Sequence, residues 1–384
     1  MTRVERVLGV TEEELVRQSA EERQLYICKQ IGETGEEILW FRNIQTGVLT
    51  PIGPFCTPTV EELRAQVKQT MMDQPEEENK DRQFYCLYHV DIGELQTRLK
   101  TTDRCLIQIA GNFNCLNVPN RRRKPDEGRL VELAFQQKTQ GPAATFGPLA
   151  CNLFRTHFSM PTPQYSGQTL KHQISLLDNV KEYTGIPING KLTLRGDEIP
   201  IPDTMDLDAI VGKVRVGLQT DCHVMYGRNK RQREVYLLDT AKHCDDFSKL
   251  PIVDQCHVAA VNWNSLTEDH TRNHVPAWTQ TPAKQKEIYN LSRALLRAGY
   301  EGVYLAALMR RTKHLYLTLV GGGVFGNPNQ LIVQELAHAH KKWASHPASC
   351  LEAVYLCGYS QKDNVECLLK KEGIKIAKTR RVGQ

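Results

Sequence analysis

The sequence predicts an α/β protein, with a mainly parallel sheet covered by helices and an additional α+β region at its N-terminus. Its 384 residues are enough for two packed units, and a hydrophobic fraction of 40% is enough for a core. After about residue 100, strand-length apolar runs alternate with amphipathic segments of helix length. We therefore divide the chain into an N-terminal α+β region, 1–100, with a candidate role in substrate recognition, and a domain, 101–384, that holds the functional site.

The N-terminal region contains signals for both helices and strands. Thr11 and the acidic residues after it begin an amphipathic helix, and Thr59 caps a second helix that runs through Met71. Residues 37–44 resemble a strand. The acidic stretch 74–81 is typical of a solvated loop or linker, which separates this region from the next.

The second domain alternates strands with helices. We expect strands at 106–110, 214–226, 234–240, 257–261, 303–308, 314–320 and 353–357, and helices at 130–137, 281–299, 330–343 and from 363 onward. The helix at 281–299 has the clearest ends. Thr281 caps it, Pro282 suits its first turn, and Gly299 ends it.

Charge and cysteine content limit the classes of ligand and partner that the protein is expected to bind. Lys and Arg exceed Asp and Glu by 49 − 44, a net charge of +5, which favours anionic ligands but is too small to indicate a nucleic-acid partner. The twelve cysteines are scattered without a CxxC pair, and neither a signal segment nor a membrane-spanning run is visible, so we expect a reduced, cytoplasmic protein without a membrane partner. The neighbouring His and Cys residues at 243–244 and 256–257 match no common zinc module. We expect no metal and no cofactor.

A glycine-rich loop follows the strand predicted at 314–320. Glycines let backbone amides face a concave site without a Cβ in the way and allow positive φ angles. Asn327 and Pro328 suit the cap and first turn of the next helix, whose N-terminus favours anions. The pattern predicts a site for a nucleotide diphosphate, formed by Gly321, Gly322, Gly323, Val324, Phe325 and Gly326.

Two other interpretations of this loop stay open. Gly321, Gly323 and Gly326 also spell GxGxxG, the pattern of NAD-dependent Rossmann enzymes. Such a site needs an acidic residue at the end of the next strand, whereas residues 356–360 contain none, and too little chain remains for the second half of that fold. The loop could also be a tight turn that binds no ligand.

These segments resemble the macrodomain superfamily. Residues 319–328 resemble the second phosphate loop of macrodomains, and residues 109–116 are similar to their first loop, where a strand ends in asparagines. The resemblance implies that Asn112 and Asn114 face the distal ribose of ADP-ribose. This chain departs from the common pattern because residues 119–124, which are basic, stand where macrodomains have a glycine triplet.

The resemblance covers about residues 100–375 and has implications for fold and activity. Residues 139–144 resemble a divergent branch that includes a bacterial effector that removes ADP-ribose from an arginine of ubiquitin. Membership would imply a three-layer α/β/α fold with a mixed sheet. It would also imply ADP-ribose as ligand and an ADP-ribosylated protein as substrate, with ubiquitin as one candidate.

Two aspartates are the first catalytic candidates. The runs on either side of residues 227–233 are typical of a hairpin, and pairing Tyr226 with Glu234 places Asp221 opposite Asp239. Adjacent carboxylates could activate water and stabilise the cationic sugar during cleavage of a glycosidic bond. Alternatively, both acids are solvated, since a shift of one residue in the pairing would put them on opposite faces.

Residues after the strand at 257–261 supply further candidates. Glu268 and Asp269 are reserve catalytic acids. Trp263 is expected either to stack on the ligand or to pack in the core. The leading hypothesis is a hydrolase that removes ADP-ribose from modified protein, with arginine as the candidate linkage. The alternative is a non-catalytic module that reads ADP-ribose; a nucleic-acid-binding protein is a third, disfavoured hypothesis.

Overall fold

The computed structural model of the protein describes residues 1–32, 35, 37–72, 82–117, 123–137, 139–160, 166–184, 187, 190–192, 206–229, 234–242, 247–265, 276–358 and 364–381. Its helices are α1 (Arg3–Leu8), α2 (Glu12–Leu15), α3 (Ala20–Gln24), α4 (Val60–Met72), α5 (Ile92–Leu95), α6 (Leu130–Ala134), α7 (Gln140–Phe146), α8 (Leu149–His157), α9 (Lys181–Thr184), α10 (Leu207–Lys213), α11 (Asp239–Lys242), α12 (Pro282–Met309), α13 (Asn329–Trp343) and α14 (Val365–Lys371). Its strands are β1 (Ile27–Ile31), β2 (Glu37–Arg42), β3 (Leu49–Ile52), β4 (Phe55–Cys56), β5 (Gln83–Tyr88), β6 (Cys105–Ala110), β7 (Gly217–His223), β8 (Tyr226–Asn229), β9 (Glu234–Leu237), β10 (Ile252–Val258), β11 (His314–Leu317), β12 (Ala353–Gly358) and β13 (Ile376–Arg381).

A mixed sheet forms the centre of the molecule. Within the described residues it has eight strands in the order β13-β5-β12-β11-β6-β10-β7-β4. The strands from β13 to β10 are parallel to one another, β7 is antiparallel to β10, and β4 is antiparallel to β7. Parallel strands are typically buried on both faces and therefore need helices on both. The structure confirms the α/β class and the mixed sheet.

Alternate residues of β6 point into two separate cores. Leu106 packs in a cluster that includes Leu295 of α12 and Leu336 of α13. Ile107 belongs to another cluster, which includes Ala144 of α7. Successive side chains of a strand face opposite sides of the sheet, so these clusters are the two helix–sheet interfaces of a three-layer arrangement.

The N-terminal segment packs against the helices on one side of the sheet. β1, β2 and β3 form a separate antiparallel sheet. Reciprocal capping ties this segment to α6. The carboxylate of Glu12 accepts hydrogen bonds from the backbone amides of Val131 and Glu132, and the carboxylate of Glu132 accepts from those of Arg3 and Val4. Free N–H groups at helix starts need such acceptors, so the two regions stabilise each other's helices.

The boundary predicted at residue 100 does not separate two sheets. β5 lies N-terminal to it, yet β5 pairs with β12 on one side and with β13 on the other. β4 also lies in the main sheet, and α4 packs on that sheet. The acidic stretch 74–81 resembled a linker because of its charge, but the chain re-enters the main sheet directly after it; residues 73–81 themselves lie outside the described residues.

The predicted end of a helix at Gly299 and the strand at 303–308 are wrong, since α12 continues through both to Met309. Gly299 and Gly302 allow close helix–sheet packing instead of ending the helix. A Cβ on Gly302 would lie 2.6 Å from a methyl group of Val216, and one on Gly299 would lie 3.4 Å from Val258. The apolar run 303–308 is buried as the interior of a helix, and a short buried run does not distinguish a helix from a strand.

The predicted hairpin register is also wrong. β8 pairs with β9, but Tyr226 lies opposite Leu237 and not opposite Glu234. The chain leaves the main sheet after His223, so residues 214–226 do not form one continuous strand. β7, which contains Asp221, pairs with β10 and β4, while Asp239 begins α11.

Most other predicted elements are confirmed to within a few residues. The strand predicted at 257–261 is an exception, because β10 runs from Ile252 to Val258 and shares only two residues with it. Thr59 and Glu62 form reciprocal hydrogen bonds at the start of α4, as expected of a capping threonine. Thr281 caps α12, with Pro282 in its first turn. Among the described residues, no helix is long and apolar enough to cross a membrane.

Candidate nucleotide-binding site

A cavity of about 620 Å³ lies at the carboxyl ends of five parallel strands, β5, β12, β11, β6 and β10. Each strand or the loop after it contributes to the wall: Tyr88 from β5, Leu356–Gly358 from β12, Thr318–Phe325 after β11, Ala110–Asn112 from β6, and Ala260 and Asn262 after β10. Open α/β sheets bind ligands at this edge, and the volume is typical of a small-molecule site.

The loop after β11, residues 321–326, folds into a closed turn. The amide of Gly326 donates to the carbonyl of Gly323 at 3.1 Å, and the amide of Asn327 donates to that of Gly321 at 3.0 Å. The prediction that Asn327 caps α13 is wrong. Its side chain donates to the carbonyl of Val261 at 2.7 Å and holds the loop against the segment that follows β10. Pro328 precedes the first residue of α13.

Three consecutive amides of this loop belong to lining residues of the cavity and have no partner within the described residues. Gly323, Val324 and Phe325 all line the cavity, and their N–H groups donate to no atom within the described residues. Adjacent unpaired amides in a turn form a concave site for anions. The loop therefore has the hydrogen-bonding capacity expected of a phosphate-binding loop.

The glycines of the loop have two different roles. Gly321 has φ 74° and Gly326 has φ 67°, values that residues with a Cβ rarely adopt. A Cβ would also lie 2.5 Å from the side chain of Asn327 or Asn264, respectively. A Cβ on Gly323, in contrast, would meet no atom within 4 Å, and the φ of Gly323 is not positive. Gly321 and Gly326 shape the loop, whereas Gly323 keeps the space above it open.

A buried tyrosine supports the start of the loop. The hydroxyl group of Tyr300, on α12, donates to the carbonyl of Thr318 at 2.8 Å and accepts from the amide of Val320 at 3.1 Å. The side chain of Gln108, on β6, accepts from the amide of Thr318 at 2.9 Å. The loop is thus held by side chains from a helix and from a neighbouring strand.

Of the two asparagines predicted to face a ribose, only Asn112 lines the cavity. Asn112 is 5% exposed, and its Nδ2 has no hydrogen-bond partner among the described residues. Asn114 points elsewhere. Its Nδ2 donates to the Gln173 side chain at 2.9 Å, and its Oδ1 accepts from the amide of Leu116 at 3.1 Å. The turn at 112–116 accounts for the difference, because it directs Asn114 into the protein.

The start of α7 forms another wall, from residues 139–142. Gly141 lies against the end of β6, since a Cβ there would be 2.0 Å from the carbonyl oxygen of Ala110. The side chain of Gln140 donates to the carbonyl of Val90 at 2.8 Å and accepts from the amide of Ile92 at 3.1 Å. This is the segment that resembled the divergent macrodomain branch.

Sequence reasoning missed several residues of the wall: Tyr88, Asn117, Lys191, Thr318 and Leu356. Tyr88 and Leu356 have a signal that could have found them, because each lies at or near the end of a parallel strand. Tyr88 was missed because no strand was predicted at 83–88, where β5 lies. Lys191 is distant in sequence from the other lining residues, and no local pattern indicates its position.

Trp263 lies behind the loop and not in the cavity. Its backbone amide donates to the carbonyl of Phe325 at 2.8 Å, and its indole N–H donates to the hydroxyl of Ser292 at 2.8 Å. Its ring packs against the core. The geometry matches the packing alternative and gives Trp263 the role of fixing the loop from outside.

The candidate acids do not meet at the cavity. Asp221 forms an ion pair of 2.8 Å with Arg310, which also binds Asp254 at 2.8 Å, near the start of β10. The cavity lies beyond the other end of β10. Burial raises the pKa of the Asp254 carboxyl group, which the Arg310 side chain opposes. Asp239 is exposed and pairs with Lys242. The structure does not bring Asp221 and Asp239 together, because their predicted pairing rested on the wrong register.

No carboxylate lines the cavity in the part of the chain that the structure describes. Glu268 and Asp269 fall at 266–275, outside the described residues. Lys191 is the single charged side chain among the described lining residues. The described wall is suited to binding an anion and supplies no acid–base pair.

Comparisons with known proteins give a distant likeness. The sequence matches no protein-family model and no curated protein sequence. A structure of poly(ADP-ribose) glycohydrolase from Deinococcus radiodurans in complex with ADP-ribose is similar with a TM-score of 0.41 and 12% identity, over 83% of this chain and 92% of that chain. The poly(ADP-ribose) glycohydrolase from Thermomonospora curvata gives a TM-score of 0.43 and 11% identity, over 94% of this chain and 98% of that chain. Likeness at this level assigns no activity to this chain.

Proposed function

We propose that this protein binds ADP-ribose, with the diphosphate on the amides of Gly323, Val324 and Phe325. The observation that carries the proposal is this row of three unpaired amides at the cavity wall, beside the open space at Gly323. Gly323 and Val324 are exposed, so an anion can take the place of water at these donors. The adjacent wall offers space for the rest of the nucleotide.

The strand order gives the ligand a direction. The loop follows β11, with β12 and β5 on one side and β6 on the other. Neighbouring strands lie about 4.8 Å apart, so the ends of β5 and β6 are separated by about 14 Å. We place the base at the β5 end, beside Tyr88 and Val365, and the distal ribose at the β6 end, where the unpartnered Nδ2 of Asn112 can donate to a hydroxyl group.

Calorimetry tests the binding proposal. ADP-ribose should bind more tightly than AMP, which lacks the second phosphate, and more tightly than NAD, whose terminal ribose carries nicotinamide. Replacement of Asn112 by Ala should weaken the binding of ADP-ribose by about 10-fold, the effect of one lost hydrogen bond to a buried group. The affinity for AMP should not change. Tighter binding of NAD together with hydride transfer would favour the Rossmann interpretation and contradict the proposal.

Hydrolysis is the second candidate function: removal of ADP-ribose from modified protein. The observation in its favour is that Ser265 lines the cavity and the chain continues from it to Glu268 and Asp269. Cleavage of an N-glycosidic bond needs a carboxylate to activate water or to stabilise the sugar cation. Only the sequence resemblance supports arginine, including an arginine of ubiquitin, as the modified residue.

An assay with proteins that are ADP-ribosylated through defined linkages distinguishes binding from hydrolysis. The protein should be incubated with substrates modified on arginine, on serine and on acidic residues, with arginine-modified ubiquitin among them, and the released ADP-ribose measured. Release from one linkage class would establish a hydrolase and identify its linkage. Tight binding of the modified proteins without release would establish a reader of ADP-ribose.

A further inference from the structure

Two polar groups with unused hydrogen-bonding capacity lie at the base end of the cavity and directly beside it. Tyr88 lines the cavity and is 3% exposed, and its hydroxyl group forms no hydrogen bond of normal geometry among the described residues, although Glu366 and Cys86 lie beside it. Glu366, on α14, follows Val365, which also lines the cavity. One carboxylate oxygen of Glu366 accepts from the hydroxyl of Thr379 at 3.0 Å, whereas the other is buried and lacks a partner within the same described part of the chain.

The two groups belong to one corner of the molecule. Cys86 and Tyr88 point to the same face of β5, and Thr379 of β13 lies opposite Cys86. Glu366 is therefore held against the edge of the sheet beside Tyr88. Burial raises the pKa of the Tyr88 phenol above its usual range, and Cys86 and Glu366 beside it raise it further. Tyr88 consequently keeps its proton at neutral pH.

A carboxylate can only accept hydrogen bonds, while a phenol can both donate and accept. If the phenol of Tyr88 donates to Glu366, its remaining lone pairs face the cavity as acceptors. The corner therefore presents acceptors to whatever base occupies it. A base with an amino group at that edge satisfies them, whereas a base with a carbonyl oxygen there leaves buried acceptors opposed to each other, which is costly.

We propose that Tyr88 and Glu366 read the exocyclic amino group of the base and select adenine over hypoxanthine. The inference rests on the proposed ADP-ribose site and assigns its base specificity to two residues. Tyr88 contacts the base edge, and Glu366 fixes the direction of the Tyr88 hydroxyl.

The test compares ADP-ribose with its deaminated analogue, inosine diphosphate ribose, which differs only in that an oxygen replaces the amino group. Affinities are measured by calorimetry for the wild type and for the Tyr88→Phe and Glu366→Gln variants. The wild type should prefer ADP-ribose by at least about 10-fold, the size of one buried hydrogen-bond mismatch. Each variant should reduce that preference to about 3-fold or less.

Matched control variants distinguish a loss of base selectivity from a general loss of stability. Tyr85→Phe removes a phenol from the other face of β5, where Tyr85 stacks on Tyr355, and Glu372→Gln removes a charge at the end of α14. Both should keep the wild-type preference. An unchanged preference in Tyr88→Phe and Glu366→Gln proteins that still unfold cooperatively would overturn the inference while leaving the ADP-ribose site in place. If the wild type binds neither nucleotide, the proposed function fails, and the inference with it.

Discussion

The hydroxyl group of Tyr300 donates a hydrogen bond of 2.8 Å to the carbonyl oxygen of Thr318 and joins helix α12 to the start of the phosphate loop. The hydroxyl oxygen of Tyr300 also accepts a hydrogen bond from the amide of Val320 at 3.1 Å. Tyr300 is 1% exposed, so no water replaces it easily. The conformation of the loop therefore depends on the helix that covers one face of the sheet.

Replacement of Tyr300 by Phe should weaken ADP-ribose binding by about 10-fold. The substitution keeps the ring but leaves the carbonyl of Thr318 and the amide of Val320 without this partner, which also costs about 1–3 kcal/mol of unfolding free energy. The amides that bind the diphosphate would then no longer be held in one arrangement. Calorimetry with ADP-ribose and urea denaturation measure the two effects.

Tyr304→Phe is the control. Tyr304 lies one turn further along α12, is buried, and forms a hydrogen bond of 2.8 Å with the side chain of His340, away from the cavity. Its removal should lower the unfolding free energy by a similar amount without changing the affinity for ADP-ribose. Equal losses of affinity in both variants would show that the effect of Tyr300 is general destabilisation.

Gly323 and Gly326 should respond differently to the same substitution. Gly323→Val should abolish ADP-ribose binding with little change in stability, because its Cβ would project into open space that the diphosphate needs. Gly326→Val should lower stability, because the residue has φ 67° and its Cβ would lie 2.5 Å from the side chain of Asn264. Thermal unfolding and calorimetry of both variants check this; full ADP-ribose affinity in folded Gly323→Val protein would contradict the phosphate-loop assignment.

Local chemistry was sufficient to predict the elements and the loop. The cap at Thr59, the start of α12 at Thr281 and the strand–glycine–helix order around residues 314–343 depend on neighbouring residues, and the structure confirms them. The position of Asn112 at a strand end was predictable for the same reason. These features need no knowledge of which strand pairs with which.

Tertiary pairing was not predictable from local patterns. The register of β8 and β9 depends on where the chain leaves the main sheet, and a shift of a few residues removed the only ground for pairing Asp221 with Asp239. The apolar run 303–308 continues α12 with every side chain buried, so the one-sided pattern of a surface helix is missing from the sequence. Tyr88 reaches the cavity only because β5 joins the sheet beside β12.

Stability should fall as the pH drops below about 6.5. Burial lowers the pKa of His340 to about 4, and it lowers the pKa of the fully buried His257 as well. The unfolded chain then binds protons that the folded chain excludes, so the unfolding free energy decreases from about pH 6.5 downward and levels off below the folded pKa. For His340 the loss at pH 5 is at most about 2 kcal/mol, an upper value because solvent reaches part of its side chain.

Urea denaturation at pH 8 and pH 5 measures this loss. His340→Gln should reduce the difference between the two pH values, because the variant side chain does not titrate and can still accept from the hydroxyl of Tyr304. An unfolding free energy that is the same at both pH values in the wild type would show that these histidines are protonated in the folded protein.

The last prediction concerns the acids. If the protein hydrolyses an ADP-ribosyl linkage, Asp269→Asn should reduce the rate by at least about 100-fold, the lower end of general acid–base effects, and leave ADP-ribose binding largely unchanged. Asp221→Asn should leave the rate unchanged, because Asp221 pairs with Arg310 at the end of β10 remote from the cavity. Its effect on stability should be within about 1 kcal/mol, as expected for a partly exposed ion pair, and Asn tolerates its φ of 52°. Single-turnover release of ADP-ribose from a modified protein measures the rates, with Asp239→Asn as a further control for an exposed acid. A large loss in Asp221→Asn and none in Asp269→Asn would mean that catalysis takes place at the Asp221–Arg310–Asp254 cluster and not in the cavity beside the glycine loop.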